Sequence, residues 1–306
     1  MQGGGPTATL GSFIADAGQI HLTSTVADKS AFCLLDAIGL AGIARDEATY
    51  VAARSLVSDL PADYPTTARI WGDGAKATGS DATLTNAIAV HSQFHDDSDN
   101  ASWTHPGSFV VPAAVAAAEL VDARLDQMLS AIAIGYSAAE WLGADERIAR
   151  ALIERGIRTS PTIGTIAAAA AVGAILKLDQ ARATSAIGMA ASITGGVLEP
   201  VGSGTDEWRL QNAHAARGGL ISAQLAAKGV LGAPAGLEGK KGLVRALAGL
   251  DEIPPEWDKP PRIEAIVDVC AKPHATLGDN ISVVLAADLA RAQIEDIAAI
   301  KRVTIK

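Results

Sequence analysis

The sequence predicts a mainly α-helical fold: a large all-helical bundle over residues 1–262, followed at 263–306 by the start of a small α/β lid domain. Three observations predict it. Of the 306 residues 49% are apolar but only 4% aromatic. Alanine and glycine therefore carry much of the count, and small side chains let helix backbones approach closely. Apolar residues recur at helical spacing through most of the chain, with joints short enough to imply antiparallel neighbours. Beyond Asp251 the texture changes, with Pro254, Pro255, Pro260 and Pro261 forming a proline-rich connection.

In chain order, Leu10 to Ala17 and Val26 to Ala44 carry helical spacing, and Phe32, Leu35, Ile38, Leu40 and Ile43 fall near one stripe. Glu47 to Leu60 repeats the pattern and stops at Pro61. Ala68 to Gly72 fits a small strand or a turn. Leu84 to Phe94 is helical again, and the polar stretch Asp96 to Ser102 follows it. From Val111 the helices run almost without pause: 111–123, 125–141, 148–154, 163–176 and 180–192. Gly195-Gly196 and Gly202-Ser203-Gly204 bracket a loop. Ala213 to Lys228 resumes the helix, and Gly229 closes it as a C-cap. After the prolines come a short helix, a Lys-Pro-His turn and a helix over 281–290. Residues 300–306 mix β-branched and charged side chains, which predicts a strand in need of partners.

A net charge of −9 argues against a protein that tracks nucleic-acid phosphates. It leaves room for an anionic substrate, because a few cations in one cleft set the local field. The most membrane-like run, Ile163 to Leu176, stops at Lys177, short of the roughly 20 residues a bilayer requires. The first six residues lack the basic start and apolar run of a secretory signal. Cys33 and Cys270 each lie in an apolar stretch, as buried cysteines of a reducing compartment do. The expectation is a cytoplasmic protein without membrane or nucleic-acid partners.

Three of the six histidines, His91, His95 and His105, lie within fifteen residues, interleaved with Asp96, Asp97 and Asp99. On a helix His91 and His95 share a face, which admits a histidine–carboxylate metal site. A solvated helix end explains the same acidic residues. With no second histidine pair and no metalloprotease spacing, no metal is expected. His105-Pro106-Gly107-Ser108 holds an imidazole on a rigid turn before a helix, where it can act as general acid or base or simply serve the cap. Gly202 to Asp206 looks like a glycine-rich anion loop without the lysine of a phosphate loop. Beyond it, Arg209 can meet a carboxylate in a two-pronged contact or form a surface ion pair.

Taken in order, these segments resemble the MmgE/PrpD family of 2-methylcitrate dehydratases and cis-aconitate decarboxylases. Leu34 to Gly39 resembles the family's first-helix motif. Asn86 to His91 with Asp96-Asp97-Ser98 resembles its "N-G-x-x-x-H-x-x-D-F-D-D-T" segment, and His105-Pro106-Gly107-Ser108 with Val111-Pro112-Ala113-Ala114 matches most closely. Gly135-Tyr136, Ser160-Pro161-Thr162, Leu178-Asp179, Gly204-Thr205, Arg209-Leu210, Leu237-Glu238-Gly239 and Lys272-Pro273 continue the pattern. The resemblance implies a helical domain and an α/β lid with the site between them, working on small polycarboxylates without a metal or organic cofactor. It implies that His105 moves a proton next to a carboxylate while Lys272 neutralises developing charge. Asp96, Asp97 and Ser98 would position the histidine or the substrate, and Arg209, Arg158, Thr162, His274 and Trp208 would surround the substrate.

Phe94 stands where the family has an acid, Arg158 where it has a histidine, and Trp208 where it often has a lysine. Three readings follow: a dehydratase or decarboxylase, an epimerase of the iminodisuccinate type, or a non-catalytic homologue lacking most of its lid. A homodimer is expected from apolar surface left by the missing lid, which a companion chain could also supply.

Overall fold

A computed structural model describes residues 4–61, 63–65 and 67–305. Its centre is an alanine-rich helix that is apolar on every side. Such a helix has no face to offer water and must be surrounded. This is α8, Thr159–Ile175, buried along nearly its whole length. The helices ahead of it in the chain are α1 (Pro6–Ala15), α2 (Ser24–Ile43), α3 (Ala48–Ser55), α4 (Gly79–His91), α5 (Val110–Val121), α6 (Leu125–Gly143) and α7 (Arg147–Glu154). After it come α9 (Gln180–Ile193), α10 (Glu199–Ser203), α11 (Glu207–Ala227), α12 (Leu243–Ala246) and α13 (Ile281–Arg291). The longest of these, α11, packs against α8, α4 and α9, while α6 and α5 cover other sides of α8.

Close approach at the centre depends on Gly219. A Cβ there would fall 2.5 Å from the Ala168 methyl and 2.6 Å from the Ala169 nitrogen. Helix ends follow local chemistry. Thr23, Thr78 and Asp179 accept hydrogen bonds from backbone amides in the first turns of α2, α4 and α9. The expected stop at Gly229 is present: φ is +87°, and the amides of Gly229 and Val230 donate to the carbonyls of Ala226 and Leu225.

The expected α/β opening at the C-terminus is not what the structure contains. Among the described residues the one β ladder lies mid-chain, where β1 (Ala68–Arg69) pairs antiparallel with β2 (Lys76–Ala77). Residues 263–305 form short 3-10 turns and α13, with no strand at 300–305; Lys306 lies outside the described residues. Alternation alone makes no strand without a neighbour to complete the ladder. Two further expectations change. Along α2, Leu40 is buried but Phe32, Leu35, Ile38 and Ile43 face outward. Cys33 is buried, whereas Cys270 is exposed. No helix among the described residues is long and apolar enough to cross a membrane.

Candidate active site

The candidate site is a cavity of about 630 Å³ at one end of the bundle. Two short antiparallel pairings assemble it. Ser98 and Cys270 exchange backbone hydrogen bonds of 2.8 and 2.9 Å, which brings the 270–273 segment, and with it Lys272, against the loop after α4. A second bridge, Asp99 with Thr104, closes the loop that presents His105.

His105 is the cavity's imidazole. Its Nδ1 lies 2.7 Å from the Asp97 carbonyl oxygen. A carbonyl only accepts, so in the neutral ring Nδ1 carries the proton and the Nε2 lone pair is available. Ser98 Oγ stands 3.3 Å from the same nitrogen. Burial, with Lys272 and His91 adding repulsion, pushes the imidazole down to about 3 against the pull of Asp96. His105 is therefore in its proton-accepting form at neutral pH.

Behind it lies a buried polar layer. His91 Nδ1 is 2.7 Å from Asp96 Oδ2, and Arg158 Nη2 is 2.8 Å from His91 Nε2. A guanidinium only donates, so His91 must accept at Nε2 and donate from Nδ1 to the Asp96 carboxylate. Desolvation pushes His91 down to about 4, while its imidazole and the nearby cations hold Asp96 well below the usual carboxylate range despite burial. Arg158, itself buried, also donates to the Trp208 carbonyl at 2.6 Å. Asp97 accepts from Tyr136 Oη at 2.6 Å and from the Gly107 amide at 2.8 Å. Burial raises the Asp97 carboxyl to about 7 against those two donors.

Of the residues expected at the site, Ser98, His105, Arg158 and Lys272 line the cavity, whereas Asp96 and Asp97 are buried behind its wall. Lys272 Nζ donates to the Phe94 carbonyl at 2.6 Å and stands 4.9 Å from the Phe94 ring centroid. The others lie outside the lining. Thr162 is buried within α8, with its hydroxyl on the Arg158 carbonyl. The Trp208 ring packs 4.6 Å from Phe94 and 4.7 Å from His91. Arg209 lies over the Trp208 ring and donates to the Ser92 carbonyl and to Asp206. His274 pairs with Asp288 at 3.6 Å.

The geometry considered for a metal does not form. Helix α4 ends at His91, so His95 leaves that face and meets the Lys272 carbonyl at 2.9 Å. Among the described residues no group of three or more histidine, cysteine, aspartate or glutamate side chains is placed to hold a metal ion. Sequence reasoning missed Trp103 and two links, that of His91 to Arg158 and that of Tyr136 to Asp97. The link from His91 to Arg158 spans 67 positions and leaves no local signal, while Trp103 reaches the cavity only because its loop folds back. Tyr136 could have been found as a hydroxyl set inside an apolar helix.

The MmgE/PrpD N-terminal domain model matches residues 8–256. The chain belongs to the MmgE/PrpD family. Relatives include a cis-aconitate decarboxylase-like protein, oryM, of Aspergillus oryzae, 29% identical over 239 residues that cover 75% of this chain and 48% of the relative. A cis-aconitate decarboxylase of Aspergillus terreus is 27% identical over 228 residues, 72% of this chain and 46% of the relative. The chain thus spans about half the length of the curated relatives it matches. Membership links it to enzymes of small carboxylic acids.

Proposed function

We propose that this protein is a lyase acting on a small polycarboxylate by removing a proton α to a carboxylate, with His105 as the base. The observation that carries the reading is the His105 ring, its Nδ1 proton committed to the Asp97 carbonyl, in a cavity that Arg158 and Lys272 also line. A carboxylate held by either cation would sit beside the imidazole. Removal of the neighbouring proton creates an enediolate, whose second negative charge a fixed ammonium or guanidinium stabilises more than it stabilises the ground state. Burial is the main cause that holds His105 down, and a polycarboxylate offsets the added repulsion of Lys272, so the base strengthens as substrate binds. Ser98, Asp96 and Asp97 act as positioning groups for His105, His91 and the loop between them.

A second reading, epimerisation without net elimination, is favoured by one observation. Among the described residues His105 is the single imidazole on the cavity wall, which suits one base that takes a proton and returns it. We also propose a homodimer, on the outward stripe of Phe32, Leu35, Ile38 and Ile43 on α2.

Proton NMR in D2O with 2-methylcitrate, citrate, cis-aconitate and iminodisuccinate tests the reading. A new alkene signal marks dehydration, a new methylene pattern with CO2 release marks decarboxylation, and loss of an α-proton alone marks epimerisation. His105→Gln is expected to lower turnover by roughly two to four powers of ten. Undiminished turnover in that variant removes His105 from the mechanism.

A further inference from the structure

The cavity wall has a second chemistry that proton abstraction does not use. Beside His105, Lys272 and Arg158 it includes Phe94, Trp103, Ile153, Leu198, Val201 and Leu277. Their placement is built in. Ile157 pairs antiparallel with Val197, the Arg158 amide donates to the Gly196 carbonyl at 2.8 Å, and the Leu198 amide donates to the Gly156 carbonyl at 2.8 Å. That pairing sets Leu198 and the start of α10 beside the backbone of Arg158. On the other flank the Phe94 ring lies 5.0 Å from the His105 ring, edge to face, and rests on Trp208. Apolar surface therefore begins where the reactive groups end.

Charge on the same wall limits how many carboxylates the site can hold. Among the described lining residues the cations are Arg158 and Lys272, and both already donate to backbone carbonyls. The remaining charged side chains there are the acids Asp99 and Asp279. Two carboxylates can each find a cation. A third would find no further cation among the described lining residues, only the hydroxyls and amide of Ser98, Asn100, Thr104, Thr159 and Ser160 beside the acids and the hydrocarbon wall, and holding an anion there without an opposite charge is costly. The volume of about 630 Å³ is that of a pocket for a ligand with several groups, larger than a compact six-carbon acid fills.

We infer that the site takes a dicarboxylate bearing an extended apolar substituent, with the two carboxylates on Arg158 and Lys272 and the substituent along Phe94, Leu198 and Val201. This rests on the carboxylate reading of the same cavity. It adds that substrate selection is made by hydrocarbon contact, which a compact tricarboxylate cannot provide.

The test is calorimetric titration of the protein with succinate, 2-butylsuccinate, 2-hexylsuccinate, tricarballylate and 1-hexanol. Each methylene buried against the wall tightens Kd by up to about fourfold, so 2-hexylsuccinate is expected to bind at least about tenfold tighter than succinate. It should also bind tighter than tricarballylate. Val201→Asp, at a position 42% exposed, should collapse the ratio between hexylsuccinate and succinate. If succinate binds and chain length adds nothing, or tricarballylate binds tightest, the inference falls while the carboxylate reading stands. If 1-hexanol binds as tightly as 2-hexylsuccinate, the wall is a general apolar patch and the inference also falls. If no acid in the series binds, the carboxylate reading fails and takes the inference with it.

Discussion

His91 offers a quantitative handle on the buried layer beneath the cavity. It is fully enclosed, donates to Asp96 and accepts from Arg158, and it is pushed from 6.5 down to about 4. The unfolded chain therefore takes up this proton before the folded one does. Its contribution is fully present above 6.5 and is lost as pH falls toward 4. A shift of this size is worth about 3 kcal/mol once both states are protonated, at about 1.4 kcal/mol per pH unit. By pH 5 roughly 2 kcal/mol of it is gone. Asp96, held below its ordinary range, loses its own contribution only at lower pH, and the raised Asp97 pulls the opposite way between pH 5 and 7. Comparison with His91→Gln cancels the Asp97 effect. Urea unfolding at pH 7, 6 and 5 should show the parent losing about 2 kcal/mol more than the variant across that interval. Equal pH slopes for the two proteins would refute the tautomer assignment and the buried neutral His91.

Three further outcomes are expected. Gly219→Val should destabilise the bundle by about 1–3 kcal/mol or more, measured by thermal or urea unfolding, because the added carbons enter the α8 backbone. Tyr136→Phe removes a donor from buried Asp97 and should cost about 1–3 kcal/mol. Its loss should be greater at pH 8 than at pH 6, since the carboxyl already raised to about 7 rises further and loses stability as it ionises. Light scattering should give twice the 31.2 kDa chain mass for the parent protein and the chain mass for Leu35→Glu, the substitution falling on a residue 69% exposed. A parent protein at the single-chain mass over a wide concentration range would count against the dimer.

The sequence by itself determined most of the helices, because helical spacing depends on neighbours three or four positions away, but several ends moved by a turn or more and α10 formed where a loop was expected. The alanine run of α8 is apolar on all sides and had to be central, and Gly229 had to close α11. It also singled out His105, Ser98, Arg158 and Lys272, the residues that share the cavity wall. It misjudged the tail, where alternating residues at 300–305 look like a strand but have no partner among the described residues, and although it allowed a small strand or turn at Ala68 to Gly72 it did not find that strand's partner, Lys76–Ala77. Which face of α2 looks inward is likewise a matter of what surrounds it. Only the tertiary structure decided that His91 accepts from Arg158 while His95 leaves its face, and that Trp208 lies beneath Phe94. It also set Leu198 on the same cavity wall as Arg158 and Lys272. Those relations join residues tens to hundreds of positions apart, through side-chain donors and backbone bridges that no local spacing encodes.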